Sequence, residues 1–443
     1  YSQRVSDSTA TATKYIQYNT YDVTDLLKNG ENVIGSINYA TSGRMFLLQM
    51  TVFYKDGKSE ILLNSSRDMS NWKALDGTEI YGENNSVGTS YYTQAAENIN
   101  ALKFPFGWNE SGYDDSEWIS VVDKGLIDAE SSETTDDITT KTVYVLTPAQ
   151  TENMSRYYLD VASIVDKGNG NYLIDLGKEI IGGICLNVNS DTSKAITVRY
   201  GEELSGENTV KYQMRTGNKY EEKWTLKTGE QKLESLGMKT FRYVEILNSP
   251  VTITSDNIKG VAVRQKFNDD DSYFNSSDPD LNRIYEFCKY SIKATNQNLY
   301  VDSQSRERCA YEGDALINMM SSYAVSDNRS LARYSIEYLN YNSTWPAEYK
   351  LESIIMAWYD YLYTGNMDSL KKYYDVLKTD KLFDDMFNTE YNLLKRPNSA
   401  DGKWDSVLVD WPAAERDGYE FTKCTYNTVF NAIGYAAYND LAK

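Results

Sequence analysis

The sequence contains no histidine, and its 443 residues include only 7 prolines and 4 cysteines. Without imidazole, zinc centres, Ser-His-Asp relays and Cys-His nucleophiles lose their usual ligand or base. Any acid–base chemistry has to run on carboxylates, lysine, tyrosine or cysteine. Cys185, Cys288, Cys309 and Cys424 stand far apart with no C-x-x-C spacing, so they carry no readable metal or redox motif and fix neither pairing nor compartment. Long hydrophobic runs are missing too. "SIIMAW" (353–358) is among the longest, far short of the roughly 20 residues that span a bilayer. Positive charge is scarce: 45 lysines and arginines against 64 acids leave a net charge of −19 with no basic cluster. Such a surface repels a phosphate backbone, so nucleic acid is not expected as a partner.

What is abundant is tyrosine, 38 of them, in a composition 41% hydrophobic and 13% aromatic, which belongs to a folded chain. The length predicts two to four domains. Up to about residue 265 the pattern is β. Tyr172, Ile174 and Leu176 alternate before Gly177; Ile184, Leu186 and Val188 alternate in a second run, and "AITVRYGEEL" (195–204) and "TFRYVEILN" (240–248) follow. Period-two runs separated by Gly, Asn, Asp and Ser suggest an antiparallel sandwich. Residues 1–140 carry their own β signals, with Thr24 placed to cap a short helix that Gly30 ends, and the polar stretch 129–141 reads as a linker. Near residue 276 the period changes. Asp278 and Pro279 make a helix start, Leu281, Ile284, Cys288 and Ile292 recur at helical spacing, and further helices are predicted over 314–325, 329–340, 350–363, 367–375 and 422–442. The expected organisation is therefore a β domain over 1–140, a second over 141–268 and a helical domain over 269–443.

The densest charge cluster is "DSQSRERCAYEGD" at 302–314. It reads in two ways. As one helix, Asp302–Arg306 and Arg308–Glu312 are i,i+4 pairs on a solvated face, worth a few tenths of a kcal/mol each. Alternatively Ser303, Gln304, Ser305 and Gly313 favour a loop that feeds a helix near Asp314. Glu307, Tyr311 and Asp314 then converge on a cavity. Carboxylates forced together cannot all ionise cheaply, so at least one is expected to hold its proton at neutral pH, as a general acid must. Carboxylic acid, carboxylate and aromatic walls are the equipment of glycoside hydrolysis.

The same thirteen residues resemble the signature loop of the bacterial α-L-rhamnosidases of glycoside hydrolase family seventy-eight, Asp-Cys-Pro-x-Arg-Glu-Arg-x-x-Trp-x-Gly-Asp. Asp302, Arg306, Glu307, Arg308, Gly313 and Asp314 match at the right spacing, while Ser303, Gln304 and Tyr311 replace Cys, Pro and Trp. "TYDVTDLLKNGENVIG" (20–35) and "GYDDSEW" (112–118) resemble the family's N-terminal β domain. "YLIDLGKEIIGGICLNV" and "TFRYVEI" resemble its middle sandwich, and "TWPAEYKLESIIMAWYDYLYTGN" (344–366) and "LVDWPAAERDGYEF" (408–421) its helical domain.

The resemblance implies two N-terminal antiparallel β-sandwich domains followed by the first part of an (α/α)6 toroid. It implies an inverting exo-glycosidase that releases terminal α-L-rhamnose from glycosides or polysaccharides. Glu307 resembles the general acid. Asp302 and Asp314 resemble carboxylates that grip sugar hydroxyls, Arg306 holds them electrostatically, Tyr311 lines the pocket, and Asp410 and Trp411 add a wall. Trp345 and Glu348 are weaker candidates that read equally well as a capped helix start with a packed indole. No cofactor is implied, although some relatives carry a structural calcium. The family's base is a glutamate in the later half of the toroid. About half a toroid precedes Lys443, so the polypeptide is expected either to continue or to be an inactive piece with an exposed apolar face. Two other readings remain open: a carbohydrate-binding protein on this scaffold without catalysis, and a structural β-sandwich adhesion array.

Overall fold

In the computed structural model, residues 2–6, 11–39, 45–82, 86–123, 131–135, 138–397, 406–409, 418 and 424–443 are described. Near the N-terminus, β1 (Ser2–Ser6) and β2 (Thr11–Tyr18) form a hairpin, as do β3 (Gln49–Phe53) and β4 (Ser59–Asn64). The polar stretch expected to be a linker is instead strand where it is described. β5 (Ser131–Thr135) and β6 (Ile138–Pro148) pair with each other, and β6 runs along β2. Threonine accounts for this, because its β-branched side chain favours extended backbone whatever its polarity. The β2–β6 pairing is parallel, which departs from the purely antiparallel expectation. Thr24 opens only a three-residue 3-10 turn, Thr24–Leu26, and it is Asp22 that accepts from its backbone N–H at 2.9 Å.

The second β module is wound around one long strand. β7 (Ser155–Leu159) and β8 (Ser163–Gly168) precede β9 (Asn171–Ser190), followed by β10 (Ala195–Gly201), β11 (Glu221–Thr225), β12 (Gly229–Glu234), β13 (Lys239–Leu247) and β14 (Ile258–Arg264). The order is β11-β10-β13-β9-β14-β7, with β8 and β12 also on β9 and all pairs antiparallel. The two runs expected as separate strands are thus one 20-residue strand. Gly177, at φ +77°, allows a register shift against β13 between Asp175 and Ile180, so the strand bends without ending. Ile174, Ile184, Leu186, Val198, Trp224, Phe241, Val244 and Ile246 fill the core. Val87, Ala96, Ile99 and Ala101 join it, and Ala101 N–H donates to Thr225 O at 2.8 Å, so the segment 86–101 is built into the second module.

The helical third follows its apolar periodicity closely. Its helices are α1 (Pro279–Thr295), α2 (Glu312–Val325), α3 (Ser330–Tyr341), α4 (Ala347–Thr364), α5 (Asp368–Asp380) and α6 (Thr428–Ala442). Asp278 caps α1 as its position predicts, accepting from Asp280 N–H at 2.8 Å. α2 packs beside α4 and α4 beside α6, while α3 packs beside α5, giving two rows of helices. Met319, Leu351, Ile354, Met356 and Phe430 form the core between them. On α1 the residues at helical spacing, Leu281 and Ile284, face solvent together with Phe287. Among the described residues no helix is long and apolar enough to cross a membrane.

Candidate active site

The stretch 302–311 is a loop, not a helical face, and its own backbone closes it. Asp302 N–H donates to Cys309 O at 2.9 Å, and Cys309 N–H donates back to Asp302 Oδ1 at 3.2 Å. Ser303, where the family has Cys, ties the turn: its Oγ accepts from Arg306 N–H at 3.2 Å and its carbonyl from Arg308 N–H at 3.0 Å. Arg308 sits at φ +56°, a left-handed conformation uncommon outside glycine and asparagine. The chain continues from this residue into α2, which begins at Glu312.

The closed loop gathers the expected side chains. Asp302 Oδ2 pairs with Arg306 Nη2 at 2.9 Å, and Arg306 Nε lies 3.5 Å from Glu307 Oε1. Tyr311 Oη donates to Glu307 Oε2 at 2.7 Å, a bond that uses the hydroxyl the family's tryptophan lacks. The Glu307 side chain keeps 15% of its exposure and that of Asp302 5%, so neither points into bulk water. Asp314, in the first turn of α2, has its carboxyl pushed up to about 6 by burial, with the charge of Asp302 adding to it. Burial also raises Asp302, against the hydrogen bond from Arg306. The carboxyls that the cluster lifts are therefore the two expected to grip hydroxyls.

Other members go elsewhere. Arg308 does not pair with Glu312, as a helix would require; it turns away into the β module. Glu312 is fully buried and accepts from Thr344 N–H at 3.1 Å and from the Thr344 hydroxyl, with Lys381 Nζ 3.9 Å away. Burial lowers that lysine to about 8. Trp345 follows Thr344 with its indole half exposed, so it is not the packed indole of the structural reading. Glu348 is buried at the start of α4, and its Oε1 accepts from Leu408 N–H at 2.8 Å and Val409 N–H at 2.7 Å. It anchors the segment leading to residue 410, where Val409 is held at φ +64°. Asp410 and Trp411 themselves lie outside the described residues.

One acid escaped the sequence reading. Glu352, one turn after Glu348, is pushed to about 8 by burial, with the charges of Glu348, Glu312 and Asp314 adding. Among the described residues, Oε2 of Glu348 and Oε2 of Glu352 are buried without a hydrogen-bond partner. Two carboxylates at i,i+4 on a helix otherwise carrying Leu351, Ile354 and Ile355 inward were the available signal. Among the described residues no group of three or more carboxylate or thiolate side chains is placed to hold a metal ion.

The arrangement offers an enclosed carboxyl flanked by a guanidinium, a phenol and two acids able to take or give protons. The chain is similar to known proteins over most of its length. Residues 3–145 match the α-L-rhamnosidase N-terminal domain, 166–264 the bacterial α-L-rhamnosidase concanavalin-like domain, and 269–443 the bacterial α-L-rhamnosidase 6 hairpin glycosidase domain. An α-L-rhamnosidase of Streptomyces avermitilis is 24% identical over 349 residues, covering 73% of this chain and 31% of that protein. Another, from Alteromonas sp., is 23% identical over 71% of this chain and 33% of its own length. The chain thus spans about a third of the length of these curated relatives. The fold is similar to that of native α-L-rhamnosidase from Aspergillus terreus, with a TM-score of 0.67 at 17% identity over 96% of this chain and 50% of that one. Three domain models of one family account for nearly all of the sequence, and the chain belongs to the bacterial α-L-rhamnosidase family.

Proposed function

We propose that the complete protein is an inverting exo-α-L-rhamnosidase in which Glu307 protonates the glycosidic oxygen. The observation that carries this reading is the position of Glu307, nearly enclosed between the Tyr311 hydroxyl and Arg306, with Asp302 and Asp314 in the same loop system. In it, Asp302 and Asp314 accept hydrogen bonds from sugar hydroxyls, Arg306 orients Asp302, and the Tyr311 ring lies against the sugar. The apolar side of the ring suits a sugar carrying a methyl in place of a hydroxymethyl group. The two rows of helices are read as the opening part of an (α/α)6 toroid. Inversion requires a base carboxylate roughly 6.5–9.5 Å from the acid, on the far face of the sugar. No residue of 1–443 is assigned as that base; the reading takes it to be a glutamate from the later half of the helical module. No cofactor is proposed for the reaction. The partner is a rhamnose-bearing glycoside or oligosaccharide, in keeping with a solved relative from Streptomyces avermitilis that is complexed with L-rhamnose.

The test uses the full-length protein and two α-L-rhamnosides, one with an alkyl and one with a dinitrophenyl leaving group. Glu307→Gln is expected to lower kcat on the alkyl glycoside by about 10²–10⁴-fold, the worth of a general acid, and to change the activated substrate far less. Proton NMR should detect the β-anomer as the first-formed sugar. An α-anomer sinks the inverting mechanism. Asp314, with its carboxyl at about 6, is the alternative acid that the same pair of substrates can test. If Asp314→Asn shows the leaving-group dependence and Glu307→Gln does not, the roles are exchanged.

A further inference from the structure

The second arginine of the loop, Arg308, has no part in the roles given above, yet it is among the most heavily bonded side chains near the site. Its Nε donates to Gln304 O at 2.7 Å, its Nη1 to Gln94 Oε1 at 2.8 Å and its Nη2 to Met238 O at 2.6 Å. The guanidinium lies 3.9 Å from the centre of the Tyr92 ring, a cation–π stack. The two carbonyls that follow Gln304 are also held from the β side. Ser305 O accepts from Asn218 Nδ2 at 3.0 Å, and Arg306 O accepts from the Thr89 hydroxyl at 2.6 Å. Three consecutive peptide carbonyls immediately before Glu307 are therefore fixed, two of them by residues of another module. Gln94 and Thr89 belong to the segment 86–101, and Asn218 and Met238 to the second β module. Met238 directly precedes Lys239 and Gln94 lies three residues before Glu97, two members of a buried Glu97–Lys239–Glu222 network in which Lys239 Nζ lies 3.1 Å from Glu97 Oε2 and 2.7 Å from Glu222 Oε1.

We infer that Arg308 is a positioning residue through which the β modules set the place of the Glu307 carboxyl, making them part of the catalytic unit rather than appended domains. This rests on the reading of Glu307 as the acid. Arginine is needed because a planar fork can reach three acceptors in fixed directions while its face stacks on a ring, and a lysine ammonium can do neither. The loop is short and lies across helix and sheet, so loss of the fork moves Glu307 without moving the helices beneath it.

The full-length protein tests this with the same pair of substrates. An acid displaced by about 1 Å costs about 100-fold, and only where the leaving group needs its proton. Arg308→Ala is expected to lower kcat about 100-fold on the alkyl rhamnoside and to leave the dinitrophenyl rhamnoside nearly unaffected. Arg308→Lys should follow Arg308→Ala. Thr89→Val, which keeps shape and removes one tether, should show a smaller loss with the same dependence and carries the test if the arginine variants do not fold. Equal losses on both substrates, no loss, or a Lys variant that behaves as wild type overturns the inference. Failure of Glu307→Gln to discriminate the substrates is a different result: it removes the assigned acid itself.

Discussion

Glu352 shows how one side chain can couple the site to pH. Its carboxyl is raised from an ordinary 4.5 to about 8, chiefly by burial. The folded state therefore favours the protonated form. The associated stability is fully present below about pH 4.5 and is lost as pH rises through about 8. Wild-type protein is expected to lose on the order of 3 kcal/mol between pH 5 and pH 8 from this group, and Glu352→Gln to remove most of that slope. Urea titrations of both proteins at the two pH values measure it. Parallel pH dependence in wild type and variant would show that Glu352 does not hold its proton. Asp314 adds a smaller contribution of the same sign, lost as pH rises through about 6.

At the scale of elements, the decisive contact is where α2 meets α4. Gly313 stands in the first turn of α2, and a Cβ there would lie 2.5 Å from Tyr349 Cε1 and 3.0 Å from Glu352 Oε2. The motif's glycine is thus a matter of space between two helices. Gly313→Ala is expected to push the start of α2 away from α4 and destabilise the protein by about 1–3 kcal/mol, as overpacking does. The denaturation midpoint should fall with an unchanged m-value. Asp314 follows Gly313 directly, so rhamnose affinity by calorimetry should fall as well, and unaltered stability would mean that Tyr349 yields at no cost.

Across the whole molecule, the coupling between modules runs through buried charge. Lys239 and Glu222 are fully buried and Glu97 nearly so; Glu222 also accepts from Tyr200 Oη at 3.1 Å, and Glu97 from Leu236 N–H at 2.7 Å. A cation between two carboxylates in a dry core is a poor source of net stability, but removing it leaves both anions facing each other without water. Lys239→Met should cost about 3–5 kcal/mol and loosen the segment 86–101 first. Hydrogen exchange would locate the loss there, and a change below 1 kcal/mol would show that the acids simply take up protons.

Helix positions in the last third, the cap at Asp278 and the run of motif acids were legible because each depends on residues close in sequence. Leu, Ile and Met recur at the helical period, and a capping aspartate acts within three residues. Residues 131–135 and 138–141 look like a linker by polarity yet form strands because threonine is β-branched, and the two alternating runs of β9 look separate because the glycine between them bends the strand without ending it. The charge cluster at 302–314 stood out by residue type alone, but it was the resemblance to the family's signature loop that implied site roles for Asp302, Arg306, Glu307, Tyr311 and Asp314 together. Only the tertiary structure decided which carboxyls are lifted, why Gly313 has no room for a side chain, and that Arg308 serves the β module. Burial, interhelical distance and contacts spanning about two hundred residues (Arg308 to Gln94 is 214 apart) leave no local pattern, because they arise from segments that meet only when the chain has folded.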